Sequence, residues 1–138
     1  MLLQIRKIGL PCLLWAISLV EANAGEPRKS GSMDLYCGPP EFLDIQLPDI
    51  TANETLFLRT LWSALRHTWK DKEPFSIGGR LCTSSNQCQE VSGSMVFKSL
   101  NVEKNASGNY KFTSADGRIL EGSFKLVPKR PPKFPLCM

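Results

Sequence analysis

The chain has one histidine, His67, among 138 residues. It contains no Gly-x-Ser-x-Gly, His-Glu-x-x-His, phosphate loop or glycine-rich dinucleotide turn. A lone histidine beside Trp69 fits a surface position better than a general base. Asp44, Asp49 and Glu54 are close in sequence, but nothing in their spacing fixes an acid/base pair or a calcium loop. The cysteines do not fall into C-x₂-C units, and His67 is far from them, which argues against zinc. The basic residues are scattered, apart from Lys129-Arg130 and Lys133, so there is no dense nucleic-acid face. Beyond the N-terminus no run is long and apolar enough to span a bilayer. These absences point to a non-enzymatic protein with no cofactor, no metal, no nucleic-acid partner and no transmembrane segment.

The N-terminus reads as a secretory signal. Arg6 and Lys7 form a basic region, Ile8 to Val20 an apolar core, and Ala22-Asn23-Ala24 a small-residue cleavage site. Cleavage after Ala24 leaves 114 residues, enough for one modest core. Losing Arg6, Lys7 and Glu21 brings the net charge from +4 to +3. The expected location is extracellular.

Cys12 leaves with the signal, and Cys37, Cys82, Cys88 and Cys137 remain. An even number of cysteines in a small secreted chain predicts two disulfides. Three pairings exist on paper. The favoured one joins Cys82 to Cys88 around a short hairpin-like loop and Cys37 to Cys137 across the domain ends, where the long loop gives the larger entropic gain. Asn53-Glu54-Thr55 and Asn105-Ala106-Ser107 are glycosylation sequons, which predicts a glycoprotein and places both asparagines on the surface.

Along the chain, residues 25–36 read as a flexible leader, 37–128 as a single β-rich domain, and 129–138 as a proline-rich tail. Phe42 to Leu47 alternates apolar and polar and stops at Pro48, as an edge strand would. Thr51 to Lys72 is ambiguous. Thr51-Ala52-Asn53-Glu54 fits a helix capping box, and Phe57, Leu61, Ala64, Leu65 and Thr68 recur at helical spacing. The rival reading puts Leu56-Phe57-Leu58 on one strand and His67 to Glu73 on another that ends in a turn. The strand reading is preferred. Gly78-Gly79 and Ser92-Gly93 read as breaks or turns. Met95–Val102, Asn109–Thr113 and Ile119–Val127 read as strands, with a hairpin turn at Asp116-Gly117.

Val96 to Phe112 ends in Ser107-Gly108-Asn109-Tyr110-Lys111-Phe112. This resembles the E-strand, corner and F-strand of an immunoglobulin-like domain, where a tyrosine precedes the F-strand cysteine by two residues. Phe112 stands at the cysteine position and Ala106 at a common aspartate. Trp69-Lys70-Asp71 resembles the core-tryptophan strand and its turn, with Lys72 where glycine is usual. The resemblance implies an all-β, Ig-like antiparallel sandwich defined by Trp69, Phe97, Tyr110 and Phe112. In it Leu58 and Phe112 replace the core disulfide by apolar packing. The alternative is an α+β domain with a helix at about 53–72 and a β meander. Gly93 to Phe97 with Ser107-Gly108-Asn109-Tyr110 also resembles the Ig-like region of sperm zona pellucida-binding proteins, which would imply an acrosomal protein active in fertilization.

The expected function is a secreted protein-binding module for extracellular recognition, with Trp62 and Phe134 as candidate partner contacts. The alternative is a small secreted inhibitor or cytokine-like ligand.

Overall fold

The computed structural model describes residues 28–130. The expected signal peptide, Phe134 and Cys137 lie outside them. Seven strands follow one another: β1 (Lys29–Tyr36), β2 (Phe42–Thr51), β3 (Glu54–Leu61), β4 (Phe75–Thr83), β5 (Cys88–Asn101), β6 (Asn105–Ser114) and β7 (Ile119–Pro128). Each pairs antiparallel with the next, and β7 closes on β1 to make a barrel. The closing pair is parallel, because in an up-and-down meander an odd number of strands leaves the first and last pointing the same way. Lys29 lies opposite Phe124 and Met33 opposite Pro128, and the Lys129 N–H donates to the Met33 carbonyl at 2.8 Å.

The all-β expectation holds. The sheet is a single closed one with strands in sequential order, whereas an immunoglobulin-like sandwich divides its strands between two sheets by Greek-key connections. The segment expected to be a flexible leader contributes β1, and this strand is what allows closure. Closure also removes the exposed strand edges that an open sheet must protect.

Strand alternation sets the inside and outside. Leu43, Ile45 and Leu47 on β2, Leu56 and Leu58 on β3, and Phe124 and Leu126 on β7 point inward and are buried. β2 does not stop at Pro48. A bulge carries it on, with Asp49 at φ 54°, and Ile50 returns to the core.

The aromatic filling of β5–β7 follows a rule of large against small. Gly108 pairs with Phe97 on one side and Phe124 on the other, Gly93 pairs with Phe112, and Gly122 pairs with Tyr110. A small barrel has little interior width, so each ring needs a neighbour without a side chain. A Cβ on Gly108 would stand 1.9 Å from the Val96 carbonyl oxygen, and one on Gly93 would stand 2.1 Å from that of Lys111. Gly93 is therefore an in-strand position of close backbone approach, not a turn. Gly79 is likewise within β4.

Residues 51–72 divide between the two sequence readings. The first part is β3. The helix α1 (Trp62–Thr68) and a 3₁₀ turn (Trp69–Asp71) follow, so the expected strand from His67 is helical instead. The alternation of Glu54, Leu56 and Leu58 inward overrides local helical spacing, because these side chains must fill the barrel. Thr51 and Glu54 do interact, through a hydroxyl donating to a carboxylate at 2.6 Å, but they organise the β2–β3 turn and not a helix start. Lys72, expected where glycine is usual, does take a left-handed conformation at φ 60°.

The barrel ends are closed differently. At one end α1 lies over the opening and inserts Leu65, which is fully buried, while Trp62, Trp69 and Phe75 pack against the core. At the other end the three hairpin turns carry a polar clasp. Arg118 grips Glu54 with two bonds of 2.8 and 2.9 Å and Asp116 with another at 3.0 Å. Gln89 donates to Asp116 and accepts from its N–H.

Candidate functional site

The interior is filled by Phe97, Phe112, Phe124, Met33, Met95 and leucines with almost no exposure. A groove of about 530 Å³ lies instead on the outer wall over β1–β4. Apart from Ile45, Leu58 and Gly79, its strand residues are the outward phase of the alternating strands. One row runs across the strands as Ser32, Gln46, Phe57 and Arg80, each directly opposite the next. The adjacent row runs Asp34, Asp44 and Arg59. Gly78 carries no side chain into the space beside Arg59, and a Cβ there would meet only the Val91 carbonyl oxygen at 3.5 Å.

The carboxylates of the groove are engaged. Asp44 accepts two bonds from Arg59, at 2.6 and 2.9 Å, and this pairing holds the guanidinium protonated even more firmly than usual. Asp34 accepts from Arg130 at 2.7 Å. Arg59 also lies over the Phe42 ring at 4.9 Å, and Arg80 over the Phe57 ring at 5.9 Å. Arg80 and Lys129 have no carboxylate partner within ion-pair distance among the described residues. Above the groove, Tyr36, Phe42 and Leu61 form a third cross-strand row in which Tyr36 and Leu61 are exposed.

The expected site residues are dispersed. Cys82 and Cys88 face each other across β4 and β5 and form the predicted disulfide, so they are not metal ligands. Cys37 is disulfide-bonded, and its expected partner Cys137 is outside the described residues. Asn53 is exposed in the β2–β3 turn and Asn105 at the start of β6, at opposite barrel ends. Phe97 and Phe112 are core residues. Tyr110 is buried, stacked on Phe112 with ring centroids 6.2 Å apart, and its hydroxyl reaches over Gly122. Trp69 is part of the helical cap rather than of a core strand, with the Lys72 ammonium 5.5 Å from its ring. Trp62 also belongs to the cap, half-buried against the core, and its backbone N–H donates to the Glu41 carbonyl at 3.0 Å. Phe134 lies outside the described residues.

His67 borders a second surface groove, beside Asp71, Glu73 and Phe75. In the sequence Phe57 reads only as part of a helix face or a strand, and Arg59 and Arg80 belong to no motif. The available signal was phase: Phe57 is a large apolar residue at an outward position between inward Leu56 and Leu58.

No protein-family model, curated protein or solved structure matches this chain.

Proposed function

We propose that this chain is a secreted, non-enzymatic protein-binding module whose contact surface is the outer wall over β1–β4. The observation that carries the reading is the outward grouping of half-buried Phe57 with exposed Arg59 and Arg80 around the groove. Aromatic and arginine side chains dominate the energetics of protein interfaces. Arg59 and Arg80 are already laid against Phe42 and Phe57, which reduces the side-chain ordering that binding would cost. The filled interior favours recognition on the wall over carriage of a small ligand inside.

Glycans on Asn53 and Asn105 would stand at the barrel ends and leave this wall clear. The β5–β6 hairpin still carries the resemblance to the Ig-like region of sperm zona pellucida-binding proteins, although the closed barrel does not support an Ig-like sandwich. Gamete surfaces are therefore the first place to seek a partner. A secreted inhibitor or cytokine-like ligand is the second reading. It is favoured by α1, which adds a helical cap to the barrel.

The test is site-specific photo-crosslinking of the mature glycoprotein on intact gametes. A photoreactive residue at Gln46 is expected to capture one discrete surface protein, and the same residue at Lys111, on the opposite wall, is expected to capture none. Capture from Lys111 alone, or from neither, would sink the assignment.

A further inference from the structure

We infer that the groove receives an extended acidic segment of a protein partner, with carboxylates meeting Arg80 at the β4 side and Lys129 at the β1 side. This deepens the proposed binding role and rests on it. The argument starts from charge that is left over. Asp44 is satisfied by Arg59 and Asp34 by Arg130, so the arginines on these two carboxylates are already engaged. Arg80 and Lys129 line the same groove without a carboxylate partner within ion-pair distance among the described residues. Glu90 is the cross-strand neighbour of Arg80, yet the guanidinium lies over Phe57 instead. That position leaves its N–H edge available to a bidentate acceptor.

The length of the site fits a peptide. The row from Ser32 to Arg80 crosses four strands, a span of about 14 Å at the usual strand spacing. An extended segment of about four residues covers that distance. Phe57 offers an apolar surface in the middle of the row, and Ser32 and Gln46 offer hydrogen bonds beside it.

The same residues argue against a sulfated polysaccharide. The lining holds Arg59, Arg80 and Lys129 against Asp34 and Asp44, which is close to neutral. A polyanion would meet both aspartates, which are partly exposed. A short segment with separated carboxylates can reach the two cations and avoid them.

The experiment selects peptides from a random displayed library on the mature, glycosylated protein and measures the synthetic peptides by fluorescence anisotropy. A heparin oligosaccharide is run in parallel. The expected result is enrichment of peptides with two Asp or Glu residues three or four positions apart. Affinity should fall about tenfold in Arg80→Ala, which is about 1.4 kcal/mol, and several-fold in Lys129→Ala. It should be unchanged in Lys111→Ala. Arg80→Glu should enrich Lys- or Arg-bearing peptides in place of acidic ones, which separates a charge contact from lost folding. Failure to select any peptide, selection without acidic preference, or indifference to both Ala substitutions would overturn the inference. So would heparin binding that alone depends on Arg80 and Lys129. Gln46 crosslinking that persists in Arg80→Ala would overturn the acidic segment but leave the binding wall standing. Loss of all Gln46 capture in the unaltered protein would remove the wall itself.

Discussion

The rings of Phe97 and Phe124 meet edge to face over Gly108, with centroids 5.3 Å apart and planes at 75°. The two phenylalanines belong to β5 and β7, which are not neighbours. They touch because the strand between them, β6, has no side chain at that point. The missing side chain on Gly108 is thus part of the core packing.

Gly108→Ala is expected to destabilise the barrel by about 3 kcal/mol, the upper end for overpacking. Its Cβ would stand 1.9 Å from the Val96 carbonyl oxygen and 3.0 Å from the Phe124 ring, and backbone cannot rotate away as a side chain can. A denaturant titration would show a lower midpoint. An unchanged midpoint would contradict the large-against-small packing.

Leu65 is the only residue that α1 buries fully. Leu65→Ala should cost about 3 kcal/mol if the barrel responds as a whole. The helix touches the barrel through few other side chains, so amide exchange in 62–71 should rise more than in β5–β7. Uniform loss of protection would mean that the cap and barrel unfold as one unit.

The Cys82–Cys88 bridge closes a loop of six residues' separation. Its chain-entropy contribution is about 2 kcal/mol. Replacing both cysteines with alanine should lower stability by that amount and leave the hairpin folded. The turn retains Thr83 N–H to Gln87 and Asn86 N–H to Thr83, both at 2.9 Å. Loss of the β-sheet circular dichroism in the variant would contradict this.

Glu54 is held below the usual carboxylate range by hydrogen bonds first from Arg118 and then from Thr51. Asp116 is held further below it by Ser114, then Arg118 and Gln89. Both carboxylates have folded pKa values below their unfolded ones. Their stabilisation is therefore complete above about pH 5 and fades as acid protonates the folded forms. Glu54→Gln should lower stability at neutral pH and flatten the acid side of the stability profile. Equal slopes for the two proteins between about pH 5 and 2 would contradict the clasp.

Much of this architecture is legible in the sequence because it is local. Alternation marks β2 and β5–β7, and Asp116-Gly117 marks the last hairpin, where Gly117 has φ 91°. The six-residue spacing of Cys82 and Cys88 marks the bridge across β4 and β5. The groove is less legible. Asp44, Arg59 and Arg80 are far apart in sequence, and only strand register sets them side by side. In the sequence Trp69 reads as a core-strand tryptophan and Trp62 as a partner contact, and their shared place in the cap depends on α1 crossing the barrel mouth.

The sequence by itself determined the alternation of β2 and β5–β7 and the Asp116-Gly117 turn, since these follow from a two-residue period and from backbone preferences, whereas Gly79 and Gly93 look like turns until the packing of the barrel places them within strands. It also carried the local resemblance at Tyr110 and Phe112. Only the tertiary structure decided that the strands close in order into a barrel, because closure requires β1 to find β7 across almost the whole described chain. Local helical spacing in 51–72 was overruled at Leu56 and Leu58 for the same reason: burial in the closed barrel outweighs a modest intrinsic propensity.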